Sequence, residues 1–195
     1  MDWKRRKQIQ NLVDGILQRN ALKQPPILLI GDIMKERNVK FAELFEEDDE
    51  FCGVYLVDGN IKEIIVNSNM YEPRKNFTIA HELGHHYLNH KLDDGAIACD
   101  KNAVFGKNKP EREKEADYFA SCFLMPDSLM KTKAFEFKKS FIDNKQLTLL
   151  KETEMQAYSE ELNEFLRKFF RVSKEAMGYR LEELELQRFP LAIFL

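Results

Sequence analysis

The pentapeptide His81-Glu82-Leu83-Gly84-His85 constrains this chain more than any other stretch. It lies inside a run from Asn76 to Leu88 that reads as a helix, with Ile79, Ala80, Leu83 and Leu88 on its buried side. On a helix, positions i and i+4 stand about 40° apart, so His81 and His85 project from one face with Cβ atoms roughly 6 Å apart. Two imidazoles at that separation can share one metal ion, and zinc is the usual occupant. Glu82 stands next to the first of them, where a carboxylate can take a proton from metal-bound water. The rest of the chain is organised around that helix.

At 195 residues the chain makes one domain, or one domain with a small appendage. Its 44% hydrophobic and 32% charged residues are ordinary for a soluble globular protein, and a net charge of −3 gives no overall attraction to nucleic acid. Cys52, Cys99 and Cys122 are odd in number, far apart and without a C-x-x-C pair. That pattern argues for reduced thiols in a cytoplasmic protein, and against a disulfide framework or a thiolate metal site. The opening Met1-Asp-Trp-Lys-Arg-Arg-Lys7 precedes no apolar stretch of signal-peptide type. No run approaches the ~20 apolar residues of a membrane span.

In chain order, residues 4–22 read as an amphipathic helix on Ile9, Leu12, Val13, Ile16 and Leu17, with Lys4 to Lys7 as a solvated face. Pro25-Pro26 break the chain and start a short helix near 27–37. Strands follow at Val39–Phe45, Phe51–Val57 and Ile61–Asn67, with Asp58-Gly59 as a hairpin turn between the last two. Asn76 is the expected N-cap of the histidine helix. Residues 91–110, with two glycines and a proline, read as a long loop. A further helix runs from Pro110 to about Leu124, ahead of Pro126, and places Glu113, Ala116, Asp117, Ala120 and Leu124 on one face. Carboxylates on a face of alanine and leucine need partners, and the histidine helix supplies them.

The run Ile64-Ile65-Val66-Asn67, then Phe77 to His85, then Glu113-x-x-Ala116-Asp117-x-Phe119-Ala120-x-x-Phe123-Leu124-Met125-Pro126, resembles the ImmA/IrrE metallopeptidase family. The likeness covers about residues 25–130 and returns at Phe169, Val172-Ser173, Ala176-Met177 and Arg180-Leu181. What the resemblance implies is a zinc-dependent, cytoplasmic protein of a bacterium or phage. Such a protein cleaves and inactivates a helix-turn-helix repressor encoded nearby. It also implies Glu113 as third zinc ligand beside His81 and His85. Asp117 is then the acceptor for the free ring N–H of one histidine. Glu115, two residues away but about 200° around the helix, is the rival ligand. Glu82 becomes the general base, and Ile64, Ile65, Val66 and Asn67 an edge strand that receives extended substrate.

His86 points away from the pair, as a surface or supporting group. Leu88 and Lys91 stand where a glycine and a third histidine ligand would be needed, so His90 is not of that kind. Tyr71, Tyr87 and His86 are equal candidates for stabilising an oxyanion. Residues 141–186 look helical, and Ser159–Arg171 with the helix capped by Ser173 resemble a helix-turn-helix. The second of those helices is net acidic, which disfavours direct DNA binding and suits packing or partner docking. The apolar tail Phe189–Leu195 packs on the body or marks a protein contact.

The expectation is an α+β fold: a metallopeptidase domain at 1–135 with a small, mostly antiparallel three-stranded sheet and a zincin-like active-site helix, then a C-terminal helical subdomain at 136–195. The expected function is endopeptidase action on a repressor. The alternatives are an anti-repressor that sequesters its target around a structural zinc, and a DNA-binding regulator.

Overall fold

The computed structural model describes residues 1–18, 23–48, 50–100, 109–145 and 152–186. Helix α1 (Trp3–Leu17) starts where the Asp2 carboxylate accepts the Arg5 backbone N–H at 2.8 Å, satisfying one donor of the first turn. Arg5, Ile9, Val13 and Leu17 recur every four residues, and the three apolar ones are buried. Residues 19–22 of the expected helix lie outside the described residues. Past the proline pair, a short 3-10 turn (Pro26–Leu29) runs into α2 (Ile30–Glu36), together filling the helix expected there.

Strands β1 (Val39–Leu44), β2 (Phe51–Asp58) and β3 (Ile61–Asn67) match the three expected. The β2–β3 hairpin pairs Asp58 with Ile61, so its two-residue loop is Gly59-Asn60, one position beyond the expected Asp58-Gly59. Gly59 has φ +56°, the left-handed conformation that such a turn demands. The sheet is mostly antiparallel, as expected, and departs from the expected three strands only in their number. A fourth strand, β4 (Ala96–Asp100), lies inside the segment read as loop and pairs antiparallel with β2. The strand order is β1-β3-β2-β4, with β1 parallel to β3, so the sheet is mixed.

That order corrects the reading of Ile64, Ile65, Val66 and Asn67 as an edge. These residues lie in an interior strand whose backbone is paired on both sides, and the sheet's edges are β1 and β4. Asn67 is 1% exposed, and its side chain does structural work. It donates to the carbonyls of Glu46, Asp48 and Phe51, and accepts from the N–H groups of Glu46 and Asn69. It thereby staples the loop that carries the chain from β1, past β3, to β2.

Helix α3 (Glu72–Tyr87) carries the histidine pair and packs between the sheet (β2, β3) and α4 (Glu111–Leu124), whose other side is covered by α1. It starts four residues before the expected N-cap: Tyr71 is the N-cap, and Pro73 sits in the first turn. Asn76 is inside the helix, and its Nδ2 donates to the Arg171 carbonyl at 3.0 Å.

The C-terminal part is α5 (Asp127–Lys145), α6 (Glu152–Phe170) and α7 (Lys174–Glu183), the last capped by Ser173, whose Oγ accepts from Ala176 N at 3.0 Å. Helix α5 runs through the 135/136 position, and one apolar cluster extends from Ile9 to Leu181. Arg180, 2% exposed, ties α7 to the α4–α5 junction through the Met125 carbonyl (3.0 Å) and Asp127 (2.5 Å). No helix among the described residues is long and apolar enough to cross a membrane. The apolar tail at 189–195 lies outside the described residues.

Candidate active site

The i, i+4 geometry of α3 sorts its polar groups into two rows. Thr78, Glu82 and His86 turn toward β2. A Cβ built on Gly53 of that strand would stand 2.7 Å from Thr78 Cγ2 and 3.3 Å from Glu82 Oε1, so only glycine leaves room there. Two residues along the same strand face, the Tyr55 hydroxyl meets His86 Nδ1 at 2.8 Å. The second row, Phe77, His81 and His85, turns toward α4. Gly84 makes the approach of α4 close: a Cβ there would lie 3.1–3.2 Å from the Phe119 side chain.

Across that contact, His81 Nε2 is 3.1 Å from Glu113 Oε2, His85 Nε2 is 3.3 Å from the same oxygen, and the two Nε2 atoms are 3.0 Å apart. His81, Glu82 and His85 are wholly buried, and Glu113 is 3% exposed. Zinc ligands at about 2.0–2.1 Å in a tetrahedron stand about 3.3 Å from one another, so two imidazole nitrogens and one carboxylate oxygen in this triangle fit a zinc ion. These three residues form a group that can hold a metal ion. Among the described residues, no other group of three or more His, Cys, Asp or Glu side chains is so arranged.

Each ligand atom is aimed by a neighbour. His81 Nδ1 donates to Asp117 Oδ1 at 2.9 Å, and the other Asp117 oxygen pairs with Lys109. Burial opposes a charge on His81, but Asp117 and Glu113 outweigh it and hold its pKa up at about 9. His85, with burial dominant, is pushed down to about 4. Glu113 is drawn well below the usual carboxylate range, because its bonds to His81 and His85 outweigh its burial. Its second oxygen accepts from Arg112 Nε at 3.2 Å, and Arg112 also reaches Asp93 at 2.8 Å. A carboxylate in the first turn of α4 is favoured by the helix dipole as well.

The structure brings His81, His85, Glu113 and Asp117 together as expected and keeps Glu82 on the adjoining row. Glu115 is not in the ligand triangle. It accepts from Arg5 Nε (2.8 Å) and Nη2 (2.6 Å), and it meets His90 Nε2 at 3.2 Å. Arg5 is therefore tied to α4 while its side chain stays 37% exposed. The His90 ring in turn sits at 2.8 Å from His85 Nδ1.

The sequence reading missed His90 as a site neighbour, yet a signal was present in Asn89. Asn89 takes φ +52°, His90 N–H bonds the His85 carbonyl at 3.2 Å and Asn89 N–H bonds that of His86 at 3.3 Å. This is a Schellman turn, and it folds His90 back beside His85. Of the oxyanion candidates, Tyr87 stacks on Phe119 and accepts from Arg37 at 3.2 Å. His86 is engaged with Tyr55, whose burial raises the phenol pKa while its own burial lowers the imidazole to about 4. Tyr71 is exposed, on a groove shared with Phe77, Lys109 and Asp117.

Two comparisons bear on this arrangement. Over 78 residues, 40% of this chain, it is 33% identical to the "Uncharacterized immunity region protein 2" of Bacillus phage phi105. That stretch is 47% of the phage protein, so the chain spans about half of its length. The model of the IrrE N-terminal-like domain, peptidase family M78, matches residues 43–182, from β1 through the helices that carry His81, His85 and Glu113 to α7. By that match over most of its length, the chain belongs to the IrrE N-terminal-like (M78) peptidase family.

Proposed function

We propose that this chain is a cytoplasmic zinc-dependent endopeptidase whose substrate is a helix-turn-helix transcriptional repressor. The observation that carries the reading is the triangle of His81 Nε2, His85 Nε2 and Glu113 Oε2 within 3.0–3.3 Å, with the Glu82 carboxylate on the next row of the same helix. What zinc supplies in such a triangle is acidification of a water molecule and polarisation of a peptide carbonyl. Asp117 holds His81 with its proton on Nδ1, which turns Nε2 toward the triangle. Glu82 takes the proton from water and gives it to the leaving amine nitrogen. Gly53, with no Cβ, lets β2 lie close against that carboxylate.

The substrate strand is reassigned from β3 to β4. Gly53 pairs with Cys99, so β4 runs alongside the strand that faces Glu82, and its outer side has no partner strand among the described residues. An extended peptide added to that edge lies about two strand spacings, roughly 10 Å, from β2. The phage protein's name refers to an immunity region, which supports a repressor-type substrate.

A second reading is favoured by one feature, the near-complete burial of all four site residues. In that reading zinc is a structural staple, and the protein relieves repression by sequestering its target. The two separate in a direct assay of zinc-loaded protein with the helix-turn-helix repressor encoded beside it. A single discrete cut, abolished by a chelator and restored by zinc, is the expected result. An intact repressor held in a stable complex supports the staple.

A further inference from the structure

We propose that His90 and Glu115, anchored by Arg5, are positioning residues that lock His85 into the tautomer able to ligate a metal. The inference rests on the metal-site reading above. His85 Nε2 occupies the ligand triangle, 3.0 Å from His81 Nε2 and 3.3 Å from Glu113 Oε2. A ligating nitrogen needs a free lone pair, so the His85 proton must reside on Nδ1. That atom faces His90 Nδ1 at 2.8 Å, and two ring nitrogens at that distance share one proton. With His85 donating, His90 accepts at Nδ1 and carries its own proton on Nε2. His90 Nε2 lies 3.2 Å from Glu115 Oε2, an ionised carboxylate that can only accept.

With His90 neutral, one order of protons satisfies every member of this chain: His85 donates to His90, and His90 donates to Glu115. The reverse order puts a proton on His85 Nε2, inside the triangle, and turns a His90 lone pair against a carboxylate. Glu115 cannot swing away, because Arg5 grips both of its oxygens at 2.8 and 2.6 Å in a fork-to-fork pair. The grip originates on α1, where Arg5 continues the buried row of Ile9, Val13 and Leu17. The Schellman turn at Asn89 fixes the other end. An N-terminal helix that contributes no ligand thus sets the orientation of one.

Two measurements test the proposal. In the metal-free protein carrying 15N-labelled histidine, the His85 ring is expected in the Nδ1–H form. A predominant Nε2–H form overturns the proposal, and this measurement requires no variant. Zinc affinity, read by competition with a chromogenic chelator, is expected to fall about ten- to hundredfold in His90→Phe, which keeps a ring but loses the acceptor. His90→Gln, whose Oε1 can accept from His85 Nδ1–H, is expected to recover most of that loss. Unchanged zinc affinity in His90→Phe overturns the positioning role while leaving the peptidase reading intact. Absence of zinc binding in the unsubstituted chain instead removes the peptidase reading. If His90→Phe does not fold, the tautomer measurement decides.

Discussion

At the scale of single residues, the candidate metal site separates the groups that close the triangle from those that only aim them. Glu113 and Glu115 are two positions apart, yet the first closes the ligand triangle and the second faces Arg5. Glu113→Gln is expected to weaken zinc binding by at least about tenfold, measured by chelator competition. Glu115→Gln keeps an acceptor for His90 and should cost less; the opposite ranking would exchange the two roles. Titration of the metal-free protein gives a second test. His81, held up at about 9, adds stability that is full below its unfolded pKa of 6.5 and is lost as pH rises through about 9. His85 and His86, both pushed down to about 4 by burial, act with the opposite sign. They stay neutral in the fold while the unfolded chain takes up protons, so stability falls as pH drops from 6.5 toward 4. Chemical unfolding of the metal-free protein across pH should therefore show stability declining on both sides of the range near 6.5. Stability that climbs from pH 7 to 9 would contradict the His81 assignment.

At the scale of elements, α3 and α4 must approach closely enough for a carboxylate to reach two imidazoles, and Gly84 against Phe119 sets that approach. Gly84→Ala gains about 0.5–1 kcal/mol of helix propensity. It also forces a Cβ to 3.1–3.2 Å from Phe119, which is wholly buried and stacked between Tyr87 and Phe123, and so cannot yield. Overpacking costs about 1–3 kcal/mol and wins, so a net loss of about 1 kcal/mol in denaturant unfolding is expected, with weakened zinc affinity. A more stable variant with unchanged affinity would show that the contact does not set the helix spacing. The two helices that carry His81, His85 and Glu113 were legible in the sequence because a 3.6-residue period and the His-Glu-x-x-His spacing are local signals. Strand β4 was not, because Ala96-Ile97-Ala98 is short and acquires its strand character from pairing with β2 rather than from its own composition. The interior position of β3 was equally hidden. It follows from the parallel pairing with β1, a contact between segments that are not neighbours in the chain, held by the Asn67 staple around the intervening loop. Asn76 scored as a cap by residue type, while Pro73 placed the start of the helix earlier.

At the scale of the whole molecule, the C-terminal helices are part of the body that holds the site. Arg180 on α7 joins the Met125 carbonyl, Asp127 and Glu183, with its own side chain 1% exposed and the two carboxylates about a quarter exposed. Arg180→Met should destabilise the protein by about 3 kcal/mol, the low end for breaking a buried pair, since the carboxylates keep contact with water. A thermal or denaturant midpoint unchanged by Arg180→Met would mean that α7 is not clamped to the α4–α5 junction. Helix α7 lies on the body through the buried side chains of Met177, Arg180 and Leu181. The central claim, that the buried triangle serves hydrolysis and is not a staple, comes down to Glu82. Glu82→Gln preserves volume and lies outside the ligand row, so zinc content and stability should match the unsubstituted chain. Cleavage of the proposed repressor substrate by equal amounts of zinc-loaded protein should fall by roughly 10²–10⁴, the value of a lost general base. A Glu82→Gln protein that binds zinc and still inactivates the repressor as fast as the unsubstituted chain would contradict the account.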